Sequence, residues 1–192
     1  MYFILEMNDT VRVPPENLGA DYEKTAIATA ISNVEGKVGM LDRNLVRDQN
    51  DRRYINLLVL DVKLEGEGRV VHGDGGVYQN VVLKILAFQP TLQEVVEGDV
   101  VDIKKFGAFV SLGPVEGLLH VSQVMDDRIE VDEENKRMIG KDTKKDLKNG
   151  DYVRTRIVAL SLSDTNIEES KIGLTMRQNF LGKISWLKGE AK

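Results

Sequence analysis

Residues 106–123, "FGAFVSLGPVEGLLHVSQ", decide how the second half of this chain folds. Two phenylalanines lie three residues apart in a segment that otherwise alternates like a strand. Along an uninterrupted strand such rings point to opposite faces. Upstream, Val101 and Ile103 are apolar while Asp102 and Lys104 are charged. Odd positions are therefore expected to face a core, which leaves Phe106 on the outward parity. Downstream, Ala108, Val110 and Leu112 form the apolar set, so even positions face inward and Phe109 points out. The parity flips between the two segments, and Gly107 stands at the switch as the residue that tolerates the dihedrals of a bulge or bend. In "GLLHVSQ", Leu118 and His120 share one parity and Leu119 and Val121 the other, which turns His120 outward as well.

Two rings and an imidazole on one face make a platform on which bases stack, each worth ~1–3 kcal/mol whatever the sequence. Cations to hold phosphates are available nearby. In the last strand Ile172, Leu174 and Met176 alternate inward, leaving Lys171, Thr175 and Arg177 outward, and Arg154 and Arg156 form a same-face pair on the strand before it. RNA is commonly read in this manner, as splayed single-stranded bases on a β surface. The alternative is that Phe106 and Phe109 pack beneath the charged segment "DDRIEVDEENKRMIGKDTKKDLKNGD", because large rings are usually buried.

That segment interrupts a series of five short strand candidates at 100–104, 108–112, 117–121, 151–160 and 171–176. Their number and turn signals predict a small barrel of the OB type carrying an inserted hairpin. The first half reads as mixed α and β. "MYFILEMNDTVRVPP" begins strand-like and stops at Pro14 and Pro15, where backbone donors disappear. In "ADYEKTAIATAISNVEG", Tyr22, Ala26, Ile27, Ala30, Ile31 and Val34 recur at helical spacing. Asp21 and Glu23 complement the helix dipole in the first turn, and Gly36 is a stop signal. Strands follow around 37–41 and 54–65, separated by polar "DRNLVRDQNDRR". Then "EGEGRVVHGDGG", with five glycines in twelve residues, joins them to "VYQNVVLKILAF" as a backbone-rich hairpin tip. The fold class is α+β.

Composition bounds the chemistry. A formal net charge of -5 over 192 residues excludes a cationic DNA-coating protein, so nucleic-acid contact has to come from a local patch. Basic residues concentrate beyond Asn80: nine basic face thirteen acidic residues up to that point, and seventeen face eighteen after it. The absence of cysteine removes disulfides, thiolate nucleophiles and cysteine zinc sites together. No apolar run approaches the ~18–20 residues of a membrane span, and "MYFIL" lacks the marks of a signal peptide, so a cytoplasmic protein is expected. Gly66 and Gly68 begin a G-x-G-x-x-G that fails at Val71. His72 and His120, the two histidines, stand 48 residues apart without metal-ligand spacing. No catalytic set assembles, and neither cofactor nor metal is expected.

"GDVVDIKKFGAFVSLGPVEGLLHVSQV" resembles the RNA-binding module repeated in ribosomal protein S1, a glycine and a valine followed by F-G-A-F-V and G-L-x-H-x-S, with "SKIGLTMRQ" as its closing strand. In order along the chain, "VRVPPENLG", "GEGRVVHGDGGVYQNV", "NKRMIGKDTKKDLKNGDYVRTRIVALSL" and "SKIGLTMRQNFLGKISWL" are similar to the E-prime family of archaeal RNA polymerase subunits, counterpart of the seventh subunit of eukaryotic RNA polymerase II. The resemblance implies a ribonucleoprotein-like docking domain over 1–81 and an S1-type OB-fold barrel over 82–192. It also implies a stalk component that docks on the polymerase core near the clamp, forms a heterodimer with the polymerase's F subunit and meets single-stranded nascent RNA. The docking tip falls on Gly66, Gly68, Gly73, Asp74 and Gly75. The RNA face falls on Phe106, Phe109, His120 and Lys171, joined by outward Arg177. Many S1-type modules carry arginine where this chain has Lys171, a point charge without a planar fork. The barrel alone is also compatible with a free-standing RNA-binding factor of translation or decay.

Overall fold

A computed structural model describes residues 1–19, 21–41, 53–163 and 170–190. The chain divides into two units, Met1–Gln89 and, from Pro90 onward, a second unit. The boundary expected after residue 81 falls inside a long strand, β4, whose pairing with both neighbours continues to Phe88. The division therefore lies at Gln89 and Pro90.

The first unit is one helix on one face of a four-stranded antiparallel sheet ordered β1-β4-β3-β2. The strands are β1 (Tyr2–Val13), β2 (Val38–Met40), β3 (Arg53–Val70) and β4 (Val77–Phe88). The helix, α1 (Tyr22–Val34), buries Ala26, Ala30 and Val34. Two alanines on that stripe let the helix approach closely, and it covers Val11, Val81, Leu83 and Ile85. Gly36, with φ 71°, ends the helix, and its N–H reaches the Asn56 carbonyl at 2.9 Å. The strand expected around 54–65 runs further, to Val70, through part of the glycine-rich segment. The polar segment expected between β2 and β3 lies outside the described residues.

Pairing of β3 with β4 slips between Glu65 and Arg69, where the residues around Gly66 and Gly68 oppose Gln79. Gln79 fills this bulge. Its buried amide donates to the Glu65 carbonyl at 3.1 Å and the Gly66 carbonyl at 3.3 Å, while its oxygen accepts from the Tyr22 hydroxyl at 2.9 Å. A buried amide left unpaired would be costly; here the bulge's freed carbonyls satisfy it.

In the second unit, β5 (Val95–Lys104), β6 (Gly107–Ser111), β7 (Glu116–His120), β11 (Tyr152–Ser161) and β12 (Lys171–Thr175) close a five-stranded barrel. Closure comes from β12, which runs parallel to β7 and antiparallel to β11. Val100, Ile103, Ala108, Val110, Leu119, Val153, Ile157, Ile172 and Leu174 fill the interior. Truncating either of the leucines to alanine would cost about 2–5 kcal/mol. A short β13 (Gly182–Lys183) pairs with β11 and leads into α2 (Ile184–Glu190).

Between β7 and β11 lies more than the expected hairpin. Strands β8 (Ile129–Asp132), β9 (Arg137–Gly140) and β10 (Asp146–Lys148) form a separate three-stranded sheet. The Asp127 carboxylate anchors it, accepting the Thr143 N–H at 2.9 Å and the Thr143 hydroxyl at 2.7 Å. These bonds, the backbone donor first, hold the Asp127 carboxyl down at about 2.

Candidate nucleic-acid interface

The alternation is reset twice, by a bulge within β5 and by the two-residue turn that pairs Lys104 with Gly107 and carries the inward set from Ile103 to Ala108. Pairing of β5 with β6 shifts between Val100 and Asp102, so Val101 is the extra residue of a bulge. Val101 is 38% exposed, whereas Val100 and Ile103 are buried. Apolar Val101 mimics an inward position, so this bulge leaves no mark in the hydropathy pattern. Gly107 does not adopt a left-handed φ; it is needed for closeness. A Cβ there would stand 2.5 Å from the Leu119 carbonyl oxygen across the strand pair. Gly98, the glycine that opens the S1-like pattern, is tighter still, at 2.0 Å from the Ser111 oxygen.

Lys105 and Phe106 form the two-residue turn between β5 and β6, since Lys104 pairs with Gly107. Phe106 is 48% exposed, and its ring meets the half-buried Phe109 edge-on, with centroids 6.0 Å apart and planes at 87°. An edge-to-face pair adds about 0.5–1.5 kcal/mol beyond area burial, which helps keep the exposed ring in place. Neither ring is sealed in the barrel interior. Phe109 is flanked by fully buried Ala108 and Val110, so it belongs to the outer surface.

Register lines up the remaining groups. Phe109 is opposite Leu118, and Leu118 is opposite Gly173 on β12, making one row across three strands. The next row places Gly107 opposite His120. The His120 Nδ1 accepts from the Ser122 N–H at 3.2 Å and lies 2.8 Å from the Ser122 hydroxyl, which fixes the ring at the start of a 3-10 turn. With Nδ1 accepting, a neutral ring carries its proton on Nε2. Beside the rings, Leu118, His120, Gly173, Thr175, Arg177 and Gln178 line a shallow open groove. A Cβ at Gly173 would stand 3.0 Å from that of Ala159 across the strand pair.

The cations differ in their freedom. Lys171 is exposed and makes no ion pair among the described residues. Arg177 is also outward, but its guanidinium pairs with Asp126 and donates to the Ser122 carbonyl at 3.3 Å. Thr175, expected outward, is buried: its hydroxyl donates to the Gln123 side chain at 2.8 Å, because the 3-10 turn folds over the end of β12. Arg154 is bound to Glu97 at 2.7 Å, and Arg156 donates to the Gln93 carbonyl, so both face the β5 side. Leu118 and Gly173 complete the surface and carry no polar signal. Their parity alone could have disclosed them.

The tip residues split between two settings. Gly66 and Gly68 belong to the β3 bulge, whereas Gly73, Asp74 and Gly75 lie in the turn between β3 and β4. Asp74 organises that turn. Its carboxylate accepts from Arg12 Nε and Nη2 at 2.7 and 2.6 Å, from the Tyr78 hydroxyl at 2.8 Å and from the Gly76 N–H at 3.0 Å. The Arg12 hydrogen bond, followed by that of Gly76, holds the carboxyl far below the ordinary carboxylate range. With the acid so occupied, the tip presents the apolar side chains of Val70 and Val71, 70% and 50% exposed, beside exposed Arg69 and His72.

A closed five-stranded barrel displaying an aromatic pair, an imidazole and flanking cations on one face defines an S1-type nucleic-acid-binding protein. The S1 RNA binding domain model matches residues 89–163. Part of the chain is 42% identical to the small ribosomal subunit protein bS1 of Staphylococcus aureus over 79 residues, 38% of this chain and 20% of that one. Similarity extends further in another direction. The DNA-directed RNA polymerase subunit Rpo7 of Saccharolobus shibatae is 35% identical over 187 residues, 97% of both chains. That of Sulfolobus acidocaldarius is 33% identical over 99% of this chain and 97% of its own. The chain belongs to the Rpo7 family of archaeal DNA-directed RNA polymerase subunits, the E-prime family.

Proposed function

We propose that this protein works in the polymerase stalk: its first unit docks on the core, it pairs with the F subunit, and its barrel holds single-stranded nascent RNA. The observation that carries the RNA reading is the outward cluster of Phe106, Phe109 and His120 on a closed S1-type barrel. Stacking on such rings is tolerant of sequence, and few cations flank them, so contact is weak enough for a transcript to slide. The docking reading is supported by the β3–β4 tip, where the Asp74 clamp stiffens a turn and two exposed valines offer apolar contact. The helix-on-sheet arrangement of the first unit suits a ribonucleoprotein-like docking module, and the protein then works in the cytoplasm with its polymerase.

Affinity purification of the tagged full chain from its own cells tests this. The expected catch is a small stalk partner together with the large polymerase subunits, with nascent RNA crosslinked to the barrel near Phe109 or His120. A catch of ribosomes or exonuclease instead would favour a free-standing RNA factor. Polymerase without any such crosslink would leave the stalk role and remove RNA contact.

A further inference from the structure

Of the cations near the aromatic platform, Lys104, Lys105 and Arg177 each already face a carboxylate, whereas Lys171 faces none among the described residues. Asp102 pairs with Lys104 at 3.0 Å and is also held by Lys136 from the inserted sheet at 2.8 Å. Glu133, in the turn between β8 and β9, reaches the Lys105–Phe106 turn: one oxygen accepts the Lys105 N–H at 3.1 Å and the other lies 3.5 Å from Lys105 Nζ. Arg177, in the groove beside His120, is paired with Asp126, whose side chain is 88% exposed. Asp102 sits between two lysines and stabilises the platform's edge. Asp126 and Glu133 each hold a single cation from the solvent side.

We infer that Asp126 and Glu133 are intramolecular stand-ins for RNA phosphate, which a transcript must displace from Arg177 and Lys105 before those cations can grip it. The inference rests on the RNA-binding reading above and gives it a control of affinity. Carboxylate and phosphate oxygens compete for the same N–H donors in the same geometry. Both pairs are solvent-exposed, so displacing either carboxylate costs RNA only about two- to fivefold. Swapping one anion for another also flattens the salt dependence, because the released carboxylate takes up a cation as the phosphate gives one up. The inserted sheet thereby acquires a purpose at the platform: it delivers Glu133 there. Once its salt link is broken, Glu133 still holds the turn through the Lys105 N–H.

The test is titration of the full chain with a labelled oligouridine at several salt concentrations. Asp126→Asn and Glu133→Gln keep an acceptor oxygen and remove the charge. Each is expected to tighten binding about two- to fivefold and to steepen log K against log salt by about 0.7. Adding Arg177→Gln to Asp126→Asn should abolish the gain. Unchanged or weaker binding by both single variants overturns the inference, as does a gain that survives the loss of Arg177. Phe109→Ala, measured alongside, separates the two readings. RNA binding that is absent, or indifferent to Phe109, overturns the RNA reading and this inference with it. Binding that needs Phe109 but ignores both carboxylates overturns this inference alone.

Discussion

Two hairpin turns of this molecule are each held by a carboxylate, and the difference between them separates their roles. At the β3–β4 tip, Asp74 belongs to the turn itself and spends both oxygens on Arg12, Tyr78 and the Gly76 amide. At the β5–β6 turn, the carboxylate is Glu133, supplied from a separate sheet, and it leaves Phe106 open. The first arrangement consumes charge internally and leaves valine side chains outward, a surface suited to another protein. The second leaves rings and exchangeable cations outward, a surface suited to nucleic acid. Polar residues near a turn therefore do not by themselves mark a contact. What matters is whether their hydrogen-bonding capacity is already used.

The largest effect that could break this contrast is on the barrel side. Phe109→Ala should weaken RNA binding by about five- to a hundredfold, the loss of one stacked base, while capture of the polymerase partners stays intact. Normal RNA affinity with lost partners would mean that the ring serves assembly. The tip offers the converse. Asp74→Ala frees Arg12 and loosens the turn, and core capture should fall roughly tenfold through lost preorganisation, with RNA binding unchanged. Core affinity equal to the parent's would remove the tip from docking.

The smallest effect sharpens the comparison through acid titration. Asp127, which anchors the inserted sheet, has its carboxyl at about 2, below the ordinary value of 3.8. Its depressed pKa means that its contribution is present above about pH 4 and is lost as pH falls through about 2. Asp74 is held further down by its arginine, so the tip clamp outlasts the sheet's anchor. Amide shifts followed by NMR report this directly: Thr143 should move with a midpoint near pH 2, and Gly76, which donates to Asp74, should move only at lower pH. A Gly76 midpoint above that of Thr143 would contradict the clamp.

Much of this is legible in the sequence because alternation and periodicity are local. The five barrel strands, α1 and the outward parity of Phe109 and His120 follow from spacing that each short segment carries on its own. The bulge escapes that reading because Val101 is apolar and outward, and hydropathy cannot distinguish an exposed valine at a bulge from a buried one. The expected boundary falls eight residues early because β4 carries one continuous apolar pattern to Phe88. Nothing local marks where its pairing partners end.

By itself, then, the order of residues determined the strand set, the aromatic face and the kinship of the chain, since side-chain parity and motif spacing survive without knowledge of partners. Tertiary structure alone decided which charges are free. Arg177 and Lys171 look alike along the strand, yet one is matched by Asp126, which lies 51 residues away in the chain, and the other is matched by nothing among the described residues. Pairing of charges depends on distances in space, and those arise only once the barrel has closed.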